Sequence, residues 1–207
     1  MRLTEQEFQA MNSAARRFLQ RTVEFPIFRK MGLTGQACDI LEIGCGSGYG
    51  AVLLASFSPR SYIGLDLMPE QIALAQQRQL AGAEFMLRDA SDLICFPDET
   101  KDIVVIFGVL HHMPEWRTVI QECQRVLRQG GKLFVEEPDG RLMAGAQHLF
   151  PKAHPKEALF QLRELEENLV AKGFTVLERR WAFGLGFYCG QKPRLVKSAQ
   201  REPASSA

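Results

Sequence analysis

An apolar run, Ile40-Leu41-Glu42-Ile43, breaks into Gly44-Cys45-Gly46-Ser47-Gly48-Tyr49-Gly50 and resumes as Ala51-Val52-Leu53-Leu54-Ala55. A buried strand that dissolves into glycines and then feeds a helix admits few architectures. At the exit of a parallel strand, residues without a Cβ let the chain turn sharply and let a ligand approach the backbone. The chain is therefore expected to be an α/β protein that wraps this turn around a nucleoside-containing ligand.

The spacing separates two classes of ligand. A dinucleotide fingerprint is Gly-x-Gly-x-x-Gly, with a pyrophosphate on the helix N-terminus. Gly44 and Gly46 fit it, but Tyr49 stands where the third glycine belongs. Glu42 also precedes Gly44 by two residues. A carboxylate there repels a pyrophosphate and attracts a cation, which suits the ammonium and sulfonium of S-adenosylmethionine and not NAD.

Two further acids follow in the same register of strands. Tyr62-Ile63-Gly64-Leu65 reads as a short buried strand ending in Asp66, where a carboxylate can accept both ribose hydroxyls. Glu84-Phe85-Met86-Leu87 reads as a third strand followed by Arg88-Asp89-Ala90, placing an acceptor for an adenine amine beside a backbone N–H for a ring nitrogen. A fourth, fully apolar strand, Ile103–Phe107, leads into Gly108-Val109-Leu110-His111-His112-Met113-Pro114. All these ends fall on the carboxyl edge of the sheet, where open α/β sheets bind ligands. Structural alternatives stand beside them. Asp66 can cap a helix opening at Pro69, Asp89 can be a turn residue beside Ser91-Asp92, and Cys45 can pack as a small hydrophobe.

Leu41 to Gly48, Gly64-Leu65-Asp66, Arg88-Asp89-Ala90, Val109-Leu110-His111-His112 and Arg125 to Leu133 occur in order over residues 39 to 137. In these pieces the chain resembles the class I S-adenosylmethionine-dependent methyltransferases, most nearly the branch that includes the ubiquinone and menaquinone biosynthesis C-methyltransferases. It departs at Gln129-Gly130-Gly131, where Pro-Gly-Gly is common in the family. The resemblance implies a Rossmann-like fold: a mostly parallel seven-stranded sheet, closed by an antiparallel C-terminal hairpin and flanked by helices on both faces. It also implies S-adenosylmethionine as cofactor, with Gly44, Gly46 and Gly48 admitting the methionine moiety and Glu42 near its ammonium. Asp66 would hold the ribose, Leu67 or Met68 would lie against the adenine, Asp89 with the Ala90 backbone would read its edge, and Phe107 or Gly108 would line the methionine side.

A methyltransferase of this kind would act on a small-molecule acceptor at O, N or an activated carbon. The alternatives are a modified nucleoside in tRNA, or a non-catalytic S-adenosylmethionine-binding partner subunit. His111 and His112 are the candidate general bases, since imidazole changes charge near neutral pH. Of Glu136 and Glu137 only one can face inward, because neighbouring strand residues point to opposite faces. Strand four lacks an Asn-Pro-Pro-Tyr ending and the chain has no Pro-Cys nucleophile, which disfavours amino methylation of DNA adenine and the covalent cytosine route.

The composition agrees. Of 207 residues, 46% are hydrophobic and 24% charged, enough for one buried core, and a net charge of +1 offers no footprint for nucleic acid beyond the basic tail. Five cysteines without a C-x-x-C pair argue against a disulfide framework or structural zinc, and no metal site is expected. No apolar run is long enough to span a membrane, so a cytoplasmic protein is expected. The expected organisation is an N-terminal helical segment, 1–35, covering the active site; a methyltransferase domain, 36–191; and a disordered tail, 192–207. Within these, one helix is predicted over 4 to 31, strands near 39–43, 61–65, 84–87, 102–107 and 132–137, and helices near 49–57, 69–81 and 115–128. A last helix is predicted over 155–172, then a hairpin of 174–182 and 186–191. The segment 138–155, with His148 and His154, is expected to line the acceptor pocket.

Overall fold

In a computed structural model of the chain, residues 5–141 and 160–195 are described. Seven strands form one sheet: β1 Asp39–Ile43, β2 Ser61–Asp66, β3 Ala83–Leu87, β4 Lys101–Phe107, β5 Leu127–Pro138, β6 Thr175–Ala182 and β7 Leu185–Gln191, in the order β3-β2-β1-β4-β5-β7-β6. Strands β1 to β5 run parallel, and β7 lies antiparallel to both β5 and β6. The predicted fold class and closing hairpin are thus as the sequence implied. The central strands β1 and β4 are covered on both faces, which is why they read as nearly continuous apolar runs.

Alternate residues of those strands feed two cores. Leu41, Ile43, Val104, Ile106, Leu133 and Val135 face helices α6 (Trp116–Val126) and α7 (Leu162–Ala171). Ile40, Val105, Phe107 and Phe134 face the opposite layer of α3 (Phe25–Lys30), α4 (Tyr49–Leu54) and α5 (Pro69–Gln76). Helix α6 shows how this is encoded: Trp116, Val119, Ile120, Cys123 and Val126 recur at helical spacing and all are buried. At the amino edge of the sheet, away from the glycine turn, Arg60 binds Asp39 at 3.1 Å and Asp102 at 2.9 Å, tying β1 to β4.

The N-terminal segment is not one helix. It divides into α1 (Glu5–Met11), α2 (Ala14–Leu19), a π-helical turn (Gln20–Glu24) and α3. Ser13 is extended and its Oγ accepts from the Arg16 N–H at 3.1 Å, restarting the helix. The π turn precedes Pro26, which has no N–H to give and whose ring crowds the preceding turn. Phe28 anchors the segment, its ring 5.3 Å from that of Phe107 and 5.7 Å from those of Phe134 and Phe187.

Other boundaries moved for local reasons. Strand β5 begins at Leu127, not 132, because Leu127 already pairs with Lys101 before an irregularity in register. Helix α5 stops at Gln76, and the chain turns through Gln79 (φ 50°) so that Leu80 and Ala83, the first residue of β3, pack against the second core. Helix α7 opens at Leu162 behind a reciprocal cap between Gln161 and Glu164. The start of the predicted last helix at 155, most of the 138–155 segment with His148 and His154, and the tail from 196 lie outside the described residues.

Candidate active site

One cleft opens at the carboxyl ends of β1 to β4. Gly44, Gly46, Asp66, Asp89 and Phe107 border it from the sheet, and Met11, Arg16 and Gln20 border it from the N-terminal helices. Gly46, at a φ of 51°, is open to the cleft: a Cβ there would meet no atom within 4 Å.

The Asp66 carboxylate is fixed by the loop it faces. Its Oδ2 accepts the Gly46 N–H at 2.9 Å and its Oδ1 accepts the Met68 N–H at 2.9 Å, so it clamps the glycine turn to the entry of α5. Burial raises its pKa, and these N–H groups pull it back. A carboxylate has about four acceptor positions, so capacity for further donors remains. The capping alternative does not hold: the N-cap of α5 is Met68, without a side-chain cap, and Asp66 bonds the Met68 N–H just ahead of the helix.

Glu42 lies deeper. It is 2% exposed, and its Oε2 accepts the Tyr62 hydroxyl at 2.6 Å. Both of its oxygens pack on Gly50, where any Cβ would overlap them. Burial, opposed by the Tyr62 bond, carries its pKa from 4.5 to about 8. The group expected to act as a fixed anion therefore keeps its proton at neutral pH until a cation approaches.

Leu67, 47% exposed, and buried Met68 both border the cleft. Asp89 also borders it, while its Oδ1 accepts from the Ser91 N–H at 2.8 Å and the Ser91 hydroxyl at 2.7 Å, and Ala90 is buried beside it. Gly48 departs from the sequence expectation. It sits behind the turn, where a Cβ would press on Ala75 and the Phe85 ring at 3.0 Å, so its smallness serves packing between α5 and β3.

The two histidines separate. His112 borders the cleft, whereas His111 is buried behind it and shares a 2.7 Å hydrogen bond between its Nδ1 and Glu137 Oε2. Glu137 Oε1 also accepts the N–H groups of Val109, at 2.9 Å, and Leu110, at 2.6 Å, so this one carboxylate shapes the turn after β4. Candidacy as a base in contact with an acceptor thus narrows to His112. Glu136 points to the other face of β5, buried beneath the N-terminal segment with its Oε2 unpartnered. Burial first, then the charges of Glu24 and Glu137, hold its carboxyl well above the usual range. Neither glutamate borders the cleft.

The sequence did not single out Arg16, Arg17, Gln20 or Gln71, all of which border the cleft, as does Arg88 of the Arg88-Asp89-Ala90 motif. A polar stripe at Asn12, Arg16 and Gln20, recurring every fourth residue of the N-terminal segment, was the available signal. Among the described residues no cluster of His, Cys, Asp or Glu is arranged to hold a metal ion.

Residues 41–135 match a family described as a methyltransferase domain. Over 96 residues the chain is 45% identical to the phthiotriol/phenolphthiotriol dimycocerosates methyltransferase of Mycobacterium leprae, covering 45% of this chain and 35% of that protein. It is 44% identical over 94 residues to the fatty-acid O-methyltransferase of Mycolicibacterium smegmatis, covering 44% and 34%. The crystal structure of an S-adenosylmethionine-dependent methyltransferase from Methanosarcina mazei, 28% identical, matches with a TM-score of 0.66 over 82% of this chain and 98% of that one. Over these residues the chain resembles the S-adenosylmethionine-dependent methyltransferases, and it shares the fold of the Methanosarcina mazei protein. It spans about a third of the length of the two mycobacterial relatives.

The cofactor that the domain match implies is S-adenosylmethionine, and the cleft fits it on its own terms. Gly46 leaves open the space a side chain would fill. Asp66 presents a carboxylate already oriented by two N–H groups. Gln71 Oε1 and Arg88 Nε, both on bordering residues, are buried without hydrogen-bond partners, a state native proteins seldom leave unanswered.

Proposed function

We propose that this methyltransferase transfers a methyl group to a small, largely apolar acceptor at an oxygen, nitrogen or activated carbon atom. One observation carries the assignment: the acids suited to a nucleoside share a cleft with the apolar side chains of Met11, Met113, Pro114 and Val119, and His112 lies on its border. The two mycobacterial relatives are named for a phthiotriol lipid and for fatty acids, which supports an acceptor of this kind.

When bound, S-adenosylmethionine supplies an activated methyl group on a sulfonium. The protein's share is alignment, and holding two reactants in line is worth about 7 to 11 kcal/mol of barrier. Asp66 holds the ribose hydroxyls, Asp89 and the Ala90 N–H read the adenine edge, Leu67 and Met68 lie against its ring, and Phe107 lines the methionine side. Glu42 meets the ammonium directly or through water, and the N-terminal helices exclude solvent. His112 takes the proton of an acceptor hydroxyl or amine. His111, tied to Glu137, is a positioning residue that sets the turn from which His112 projects.

The test is transfer from methyl-tritiated S-adenosylmethionine to a panel of long-chain fatty acids, phenols, quinone precursors and bulk tRNA. Label extracted into the organic phase is the expected result. Label precipitating with tRNA, and falling with added salt as phosphate contacts require, would overturn the small-acceptor assignment.

A further inference from the structure

The sheet is open along one side. Strand β6 ends the order β3-β2-β1-β4-β5-β7-β6, so its outer N–H and C=O groups pair with no strand among the described residues. Such an edge is a template for another strand, and proteins that avoid pairing blunt it with Pro, Lys, a short strand or a bulge. β6 runs for eight residues, Thr-Val-Leu-Glu-Arg-Arg-Trp-Ala, with neither Pro nor Lys. One irregularity lies near its start, between Val176 and Glu178, and from Glu178 to Ala182 the strand pairs with β7 residue for residue.

The apolar side chains of this edge are uncovered. Leu177 is 47% exposed, Trp181 59% and Phe183, in the turn to β7, 85%. Phe183 holds a φ of 53°, a left-handed conformation for which such turns favour Asn, Asp or Gly, so the turn itself does not call for a ring there. Trp and Arg, both present on this strand, are the side chains that most often anchor an interface.

The pattern along the strand is self-complementary. Glu178 and Arg180 oppose Cys189 and Phe187 of β7, on the face that carries α3, and Arg180 Nε donates to Glu178 Oε1 at 2.6 Å. Arg179 and Trp181 oppose Tyr188 and Gly186, on the face that carries α7, where Arg179 is paired with Glu166 at 3.0 Å. A second β6 laid antiparallel about Arg179 sets Glu178 opposite Arg180 of the second copy, Leu177 opposite Trp181 and Thr175 opposite Phe183, each twice by symmetry. Acid then meets base and apolar meets apolar. Arg179 faces its own copy, and each of the two is already answered by Glu166.

We propose that β6 is a homodimer interface, in which two copies of the chain join edge to edge through antiparallel β6 strands centred on Arg179. The contact is isologous and uses both free edges at once, so it closes as a dimer and does not propagate. β5 and β7 separate it from β4, which leaves the cleft at the carboxyl ends of β1 to β4 open in each copy. The inference is independent of the cofactor and acceptor assignments.

The experiment is sedimentation equilibrium of the full chain and of Glu178→Arg, Arg180→Glu and the variant carrying both changes. Wild type is expected to dimerise. Each single change sets like charges opposite one another at two symmetric places and should weaken dimerisation roughly 10- to 100-fold. An equimolar mixture of the two single variants restores both opposite-charge pairs across the contact, and the doubly changed chain restores them in its own dimer. Both should recover wild-type association to within about threefold. The mixture decides, because neither loss of the Glu178–Arg180 pair within one chain nor a disturbed fold can be mended by a second chain. Wild type that stays monomeric at every concentration overturns the inference, whatever covers the edge instead. Single variants that dimerise as wild type does would put the contact on another face and overturn it, as would losses that neither the mixture nor the doubly changed chain repairs.

Discussion

Replacing Glu42 by Gln is expected to stabilise the ligand-free protein by an amount that grows with pH. Glu42 releases its proton near 4.5 in an unfolded chain and near 8 in the fold, because burial penalises the charged form. An acid whose folded-state pKa is raised contributes stability that is whole below the unfolded value and is lost as pH rises through the folded one. Each pH unit between the two removes about 1.4 kcal/mol. The loss is about 1 kcal/mol at pH 5 and about 3 at pH 7, levelling off near about 5 above pH 8. Gln has the same shape, fits beside Gly50, can accept the Tyr62 hydroxyl and does not titrate. Urea unfolding of the two proteins from pH 5 to 9 should therefore give a difference that traces this curve. The raised pKa values of Glu24 and Glu136 act alike in both proteins and cancel in the difference. Parallel stability curves would refute the argument from burial. The same substitution should weaken cofactor binding, since an ammonium brought to Glu42 drives off its proton. Calorimetry of wild type at pH 7 in phosphate and in Tris should report about one proton released per cofactor bound, and the variant none.

Three other perturbations test the site. Asp66→Asn removes the charge facing the ribose and loosens the Gly46 turn; S-adenosylhomocysteine affinity should fall by roughly 10- to 100-fold, and unchanged calorimetric affinity would sink the ribose assignment. Glu137→Ala strips the acceptor from Val109, Leu110 and His111 at a buried site and should cost about 3 to 5 kcal/mol in urea unfolding, whereas a change below about 1 would show that the turn holds itself. His112→Gln should lower turnover by roughly 10²- to 10⁴-fold with S-adenosylhomocysteine affinity retained; normal turnover at every pH from 6 to 9 would remove His112 as a base.

Backbone-dictated features were the legible ones. The glycine turn, the acids closing β2 and β3 and the parallel order of strands follow from where a chain can turn and what it can bury, and these are local in sequence. What escaped was set by partners distant in the chain. Glu42 is neutral because burial against Gly50 of α4 outweighs the opposing bond from Tyr62 of β2, so its charge could not be read from its place before Gly44. Choosing between His111 and His112 needed Glu137, whose carboxylate reaches across from β5. Gly48 looked equivalent to Gly46 until Phe85 and Ala75 closed behind it. The helical periodicity of residues 4 to 31 concealed the breaks at Ser13 and Pro26, because the apolar positions needed to seat Phe25 and Phe28 keep nearly the same spacing through them.

The family match spans residues 41–135 and so contains Glu42, Asp66, Asp89, Phe107 and His112, while Met11, Arg16, Arg17 and Gln20 lie upstream of it. The cleft is thus assembled from residues inside the matched domain and residues upstream of it. The two are joined rigidly: Phe28 sits on Phe107, Phe134 and Phe187, the strands that form the floor, and Arg16 is locked to Glu24 within the segment itself. Because the anchor is apolar and faces the sheet, the cleft-facing residues of α1 and α2 can change without loosening the cover. Cofactor chemistry can then stay constant while the acceptor end is rebuilt, consistent with relatives alike in the core and named for different acceptors.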